Sequence, residues 1–140
     1  MIGQRKAGLQ PGHSVLVIGS GISGLLHIQL ARALCAGNIF AVDISEYRLK
    51  IARQAGADFA LHAKEDVPDY VRKNNNGRLA DIVIVCTGAT TAVQQAFNTV
   101  DRGGNDSFLC PHRTKRCNAN EPLVSLAQLQ LRYYVLCRPA

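Results

Sequence analysis

Three glycines and one carboxylate are the residues of this chain whose types and spacing could do chemistry. The glycines stand in the order Gly19-Ser20-Gly21-Ile22-Ser23-Gly24, directly behind the apolar run Val15-Leu16-Val17-Ile18. The first glycine of such a series allows a tight turn out of a strand. The second lets backbone approach a bound group, and the third lets the following helix pack closely on the strand. The first N–H groups of that helix would face an anion, and the positive end of its dipole would favour one. Asp43 closes a second apolar run, Phe40-Ala41-Val42, and lies 19 residues beyond Gly24. A carboxylate at that distance can accept both hydroxyls of an adenosine ribose, so the two features together read as a dinucleotide site.

Other reactive side chains form no comparable set. The chain has five cysteines, an odd number without a C-x-x-C pair, which reads as free thiols in a cytoplasmic protein. Cys110, His112 and Cys117 offer only three zinc-type donors without a recurrent spacing, so no metal ligand is assigned. No catalytic residue is assigned either. His27 falls on the helix after the glycines and is expected at its surface or boundary.

The elements needed to hold the glycines and Asp43 are legible around them. A turn at Pro11-Gly12 launches a strand over 15–18, and a helix follows from Ile22 to Ala36. Positions 22, 25, 26, 29, 30, 33 and 34, all apolar except Gln29, follow the helical period and are expected to face the core. Ile39 to Val42 form strand two. Ser45 caps a helix that ends at Gln54-Ala55-Gly56-Ala57. Asp58 to Leu61 read as strand three, 64–73 as a polar helix and Asn74 to Gly77 as a turn. Asp81 to Cys86 are almost entirely apolar, as a central parallel strand should be. Thr87-Gly88-Ala89 follows at its carboxyl end, where open α/β sheets place ligands, and a helix over 90–100 comes next. The expected fold is therefore α/β, a Rossmann-type doubly wound parallel sheet with helices on both faces.

Composition narrows the partners. The 140 residues suffice for one domain. No apolar run approaches the ~20 residues of a membrane-spanning helix, and no apolar signal core follows Met1. Of the net charge of +6, residues 1–101 contribute +2 and residues 102–140 contribute +4. No basic stripe with interleaved aromatics crosses the body, so neither nucleic acid nor membrane is an expected partner. The expected ligand is NAD or another ADP-ribose-type small molecule, and an uncovered sheet edge allows a homo-oligomer.

Four segments occur together and in order: Ala7-Gly8-Leu9-Gln10-Pro11-Gly12, the glycine series, Val42-Asp43-Ile44-Ser45, and Arg48-Leu49 through Ala55-Gly56-Ala57-Asp58. Over residues 4–104 the chain resembles the coenzyme-binding domain of zinc-dependent medium-chain alcohol and polyol dehydrogenases. The resemblance implies that Gly19, Gly21 and Gly24 shape the loop and that the backbone of Ile22 and Ser23 holds a pyrophosphate. It also implies that Asp43 and Arg48 flank the adenosine ribose and that Thr87 lines the cofactor groove. A solvated helix arginine is the plainer reading of Arg48. Asp43 followed by Ile44 favours NAD over NADP, because a 2′-phosphate would meet like charge.

In that family zinc belongs to a separate catalytic domain, for which this sequence has no ligand-rich stretch. The chain is accordingly expected to bind coenzyme without turnover. The other readings are a stand-alone adenine-dinucleotide module or a fragment of an FAD-binding flavoprotein. Flavoproteins usually carry glutamate at the ribose position and lack the Arg48 to Asp58 segment. Methyltransferases share a glycine-rich first turn but usually have an acid where Ile18 stands.

The resemblance stops after Gly104, dividing the chain into a nucleotide-binding part (1–104) and a divergent tail (105–140). Asn105 to His112 can be encoded by AAC GAT TCT TTT CTT TGC CCC CAC. Without its first base this reads Thr-Ile-Leu-Phe-Phe-Ala-Pro, a family-like fifth strand, and Gln128 to Ala140 can be shifted similarly. A frameshifted tail is one reading. The other is a diverged tail with a short helix around Leu123 to Leu131 and a strand over Tyr133 to Cys137.

Overall fold

The computed structural model describes residues 9–108 and 133–135. Strands β1 (Val15–Ile18), β2 (Ile39–Asp43), β3 (Phe59–His62), β4 (Ala80–Val85), β5 (Val100–Phe108) and β6 (Tyr133–Val135) form one sheet. Their spatial order is β3-β2-β1-β4-β5-β6, and every pairing is parallel. Helices α1 (Ile22–Ala33), α2 (Glu46–Ala55), α3 (Val67–Asn74) and α4 (Thr90–Thr99) make the crossovers. The chain winds outward from β1 to β3 and then returns to β4 on the other side of β1. The carboxyl ends of β1 and β4 therefore border the switch point, where such sheets bind ligands.

Strand alternation divides the core between the two faces. Val15 and Val17 pack with Ile39, Ala41, Ile82 and Ile84 against Ile28 and Ala31 of α1 and Ala52 of α2. Leu16 and Ile18 pack on the other face with Phe40, Val42, Val83 and Val85, joined by Val67, Val71, Ala92 and Ala96 of α3 and α4. Strands covered on both sides are nearly continuous apolar runs, as β1 is throughout and β4 is apart from Asp81 near its start.

Three details differ from the sequence reading. Helix α1 turns inward not its apolar stripe but Gly24, His27, Ile28 and Ala31, while Ile22 is 83% exposed and Leu26 45%. Gly24 dictates this rotation, since a Cβ there would collide with the Gly19 carbonyl oxygen. The helix must present its smallest residue to the turn it leaves, and the positions one turn apart from Gly24 follow it inward. His27 is consequently buried rather than at the surface.

The same helix stops at Ala33, short of Ala36, because Cys35 takes a left-handed φ of 58°. There the Cys35 carbonyl accepts from the Gly12 N–H (2.9 Å), and the Gly37 N–H donates to His13 O (2.9 Å). The third difference is β5, which begins at Val100, the last residue of the expected helix. Its pairing with β4 starts at Ala80–Val100 and resumes at Ile82–Asn105 after an irregularity. Cys110, His112, Cys117 and the helix expected near Leu123 to Leu131 lie outside the described residues.

Candidate functional site

At the carboxyl end of β1 the chain turns sharply on Gly19, whose φ of 96° is left-handed and suits only a residue without Cβ. A Cβ there would also stand 3.1 Å from the Cys86 carbonyl and 3.3 Å from Thr87 Cβ. The glycine turn is thus pressed against the end of β4. Its geometry is fixed by the Gly19 N–H donating to Val42 O (2.7 Å) and the Cys86 N–H donating to Ile18 O (2.7 Å). Gly21 is different. A Cβ there would meet nothing within 4 Å, so the loop opens outward at that residue.

Gly21 is also the N-cap of α1, and it offers no side-chain acceptor; the first turn carries no acidic residue. Helix α4, which leaves β4 through Thr87-Gly88-Ala89, likewise has no side-chain cap. By contrast, Ser45 accepts from the Arg48 N–H at the start of α2, and Asp66 accepts from the Asp69 N–H at the start of α3. The two uncapped helix starts are those bordering the switch point. Their leading N–H groups need an acceptor from water or a ligand.

Asp43 reaches into this crevice from β2. It is 5% exposed, and its Oδ2 accepts from the Ser20 N–H (2.7 Å) within the glycine loop. Its Oδ1 accepts from the Ser45 N–H (2.9 Å), and Arg48 Nη1 lies 3.9 Å from Oδ2 with its side chain 56% exposed. A carboxylate has about four lone-pair sites, so these contacts leave room for hydroxyl donors. Ile44, next along the chain, is 75% exposed.

The remaining expected residues gather around the same turn. Ile22 and Ser23 form the first turn of α1, and the Ser23 hydroxyl donates to Cys86 Sγ (3.9 Å). Burial pushes the Cys86 thiol up to about 11, so this sulfur packs beneath the loop rather than acting as a nucleophile. Thr87 is half-buried beside Gly19, and its Oγ1 accepts from the Ala89 N–H (3.4 Å). Gly19, Gly21, Ile22, Ser23, Gly24, Asp43, Arg48 and Thr87 are therefore brought together. A depression of about 570 Å³ lies between α2 and β3, with Glu46, Lys50, Arg53, His62 and Glu65 on its walls. No group of three or more His, Cys, Asp or Glu among the described residues could hold a metal ion.

Fold and crevice define a Rossmann-type α/β domain with a glycine-rich first turn. More narrowly, the chain belongs to the zinc-binding dehydrogenase family, whose sequence pattern matches residues 23–133. It is 35% identical over 103 residues to sheep (Ovis aries) sorbitol dehydrogenase, covering 71% of this chain and 29% of that protein. It is 36% identical over 97 residues to L-threonine 3-dehydrogenase of Symbiobacterium thermophilum, covering 69% and 28% respectively. The alcohol dehydrogenase TADH of Thermus sp. ATN1 superposes with a TM-score of 0.82 at 30% identity, over 95% of this chain and 39% of that one. The chain thus spans less than a third of the length of the curated relatives it matches.

Proposed function

We propose that the crevice binds NAD by its ADP-ribose half, as the coenzyme-binding part of an oxidoreductase that moves hydride between an alcohol or polyol and NAD. One arrangement carries this reading. Open space at Gly21, on an uncapped helix start, adjoins a buried carboxylate tied to the same loop through Ser20. The N–H groups of Ile22 and Ser23 would hold the pyrophosphate, with Gly19 and Gly24 keeping the loop close to β1 and β4. Asp43 would accept the ribose hydroxyls, Arg48 would flank the ribose, and Thr87 would line the groove. A carboxylate at the ribose also favours NAD over NADP, since it would repel a 2′-phosphate.

Bound NAD supplies the hydride acceptor; the residues of this chain bind and orient it. The alcohol or polyol substrate class is supported by the sorbitol and threonine dehydrogenases among the relatives. Zinc chemistry belongs in this reading to parts of those proteins that the match does not span. The 140-residue chain is expected to bind without turnover, and zinc-dependent reduction of NAD by it alone would contradict that. Cys35 and Cys86 are free thiols, which supports a reducing, cytoplasmic setting.

Calorimetric titration tests the assignment. Asp43→Ala should weaken NAD and ADP-ribose binding alike, by about 1–3 kcal/mol for lost hydrogen bonds to a charged group. Unchanged affinity would remove Asp43 from the site. The unsubstituted chain should bind both ligands with similar affinity. A tenfold preference for NAD, about 1.4 kcal/mol, would mean that the nicotinamide half is held as well.

A further inference from the structure

The last residue of β3, His62, has a side chain that the crevice itself does not explain. The Lys64 N–H donates to His62 Nδ1 (3.2 Å), which leaves Nε2 as the protonated ring nitrogen. Nε2–H in turn donates to the Ile44 carbonyl oxygen (3.0 Å). That carbonyl belongs to the same peptide unit as the Ser45 N–H, the donor to Asp43 Oδ1 (2.9 Å). A peptide unit is planar, so fixing its oxygen fixes the direction of its N–H. The bonds run in one sense, from Lys64 N–H through the imidazole and the peptide to the carboxylate, and each polarises the next.

Two more contacts brace the same strand end. The Ala63 N–H donates to the Asp43 carbonyl oxygen (3.0 Å), and Gln95 Nε2 of α4 donates to Ala63 O (2.7 Å). The His62 N–H is itself held by Glu65 Oε1 (2.9 Å). His62 sits behind Asp43 and does not share its bonds to Ser20 or Arg48, so its effect on the crevice passes through the Ile44–Ser45 peptide.

We infer that His62 is a positioning residue for the adenosine end of the crevice, holding the Ile44–Ser45 peptide so that Asp43 presents its carboxylate in one orientation. The inference rests on the NAD reading for its ligand but not for its geometry. A loosened Asp43 would lose its hold on the ribose hydroxyls and also its repulsion of a 2′-phosphate. Loss of His62 should thus narrow the preference for NAD over NADP, which a general loss of stability would leave unchanged.

The test compares the whole chain with His62→Ala and His62→Gln, the latter keeping a side-chain N–H able to reach the Ile44 carbonyl. In His62→Ala, amide hydrogen exchange at Ser45 should quicken by about tenfold through local opening, while Ser14 at the far end of the sheet keeps its rate. The ratio of NAD to NADP affinity should fall by about fivefold or more, roughly 1 kcal/mol. His62→Gln should restore both. Unaltered Ser45 exchange, an equal loss for NAD and NADP, or failure of His62→Gln to restore either would overturn the inference. If the unsubstituted chain binds no NAD, the functional reading falls, and the exchange rates still decide whether His62 holds the Asp43 turn.

Discussion

The two ends of the sheet use similar residues to opposite effect. At the amino-terminal end, Asp81 Oδ2 accepts from both the N–H and the hydroxyl of Ser14 (2.9 Å each), and Arg78 binds its other oxygen (2.8 Å). Asn75 donates to the Ser14 hydroxyl (3.1 Å), and Asn38 donates to Asn74 O and Asn75 Oδ1. Asp58 takes the Ile39 N–H (2.9 Å) and the Arg32 guanidinium (2.7 Å). These groups close on one another. At the carboxyl-terminal end the buried Asp43 is only part of a set whose neighbours, the leading N–H groups of α1 and α4, lack side-chain acceptors. An aspartate hydrogen-bonded at a strand end is therefore not diagnostic by itself. What separates a framework end from a binding end is whether the surrounding donors are already used.

That contrast can be broken from either side. The largest effect should come from Gly24→Val, since a side chain there collides with backbone that cannot yield. We expect a loss of about 3 kcal/mol or more in denaturant unfolding, together with loss of nucleotide binding. Gly21→Ala is the control, with open space and an ordinary φ of −73°, and it should leave stability within about 0.5 kcal/mol.

Acid should weaken the inner face of α1 next. Burial lowers the His27 imidazole from 6.5 to about 4. The unfolded chain then binds the proton first, so this contribution is complete above pH 6.5 and is lost as pH falls towards 4. About 3 kcal/mol is at stake, read as a falling denaturation midpoint over that window. His27→Gln should flatten the profile there.

A smaller effect is expected at the framework end. Asp81→Ala removes the acceptor of Ser14 and Arg78 and should cost about 2 kcal/mol of stability. NAD affinity of the folded variant should not change. A parallel fall in affinity would show that the two ends are coupled, and the distinction drawn between them would fail.

Much of the carboxyl-terminal end of the sheet was legible in the sequence because its demands are local and steric. Gly19 needs a left-handed φ and Gly24 has no room for a Cβ, so both demand glycine, and Asp43 closes a strand whose apolar run announces it. The apolar runs of β1 and of β4 from Ile82 onward were legible as buried parallel strands, and they set the doubly wound order. Other features depend on how elements meet. The rotation of α1 is governed by one contact between Gly24 and the Gly19 carbonyl, which outweighs an apolar stripe that includes Ile22 and Leu26. His62 joins Ile44 across 18 positions because β3 lies beside β2, and no periodicity encodes that. Asp81 looked like the opening acid of a strand, whereas its role depends on Ser14, 67 positions away. In β5 the polar run Asn105-Asp106-Ser107 pairs in parallel with Ile82, Val83 and Ile84, and Asp106 and Ser107 also pair with β6, using backbone groups that residue type does not reveal.

Whether the carboxyl-terminal end of the sheet, and not another surface, receives an adenine dinucleotide can be read directly by NMR titration of the ¹⁵N-labelled chain with ADP-ribose. The amides of Gly21, Ile22, Ser23, Gly24 and Ser45 should shift in a saturable manner, while those of Ser14, Asn38 and Asp81 stay in place. Shifts confined to the charged depression between α2 and β3, or to the Ser14–Asp81 end, would contradict the account, as would no saturable change at all.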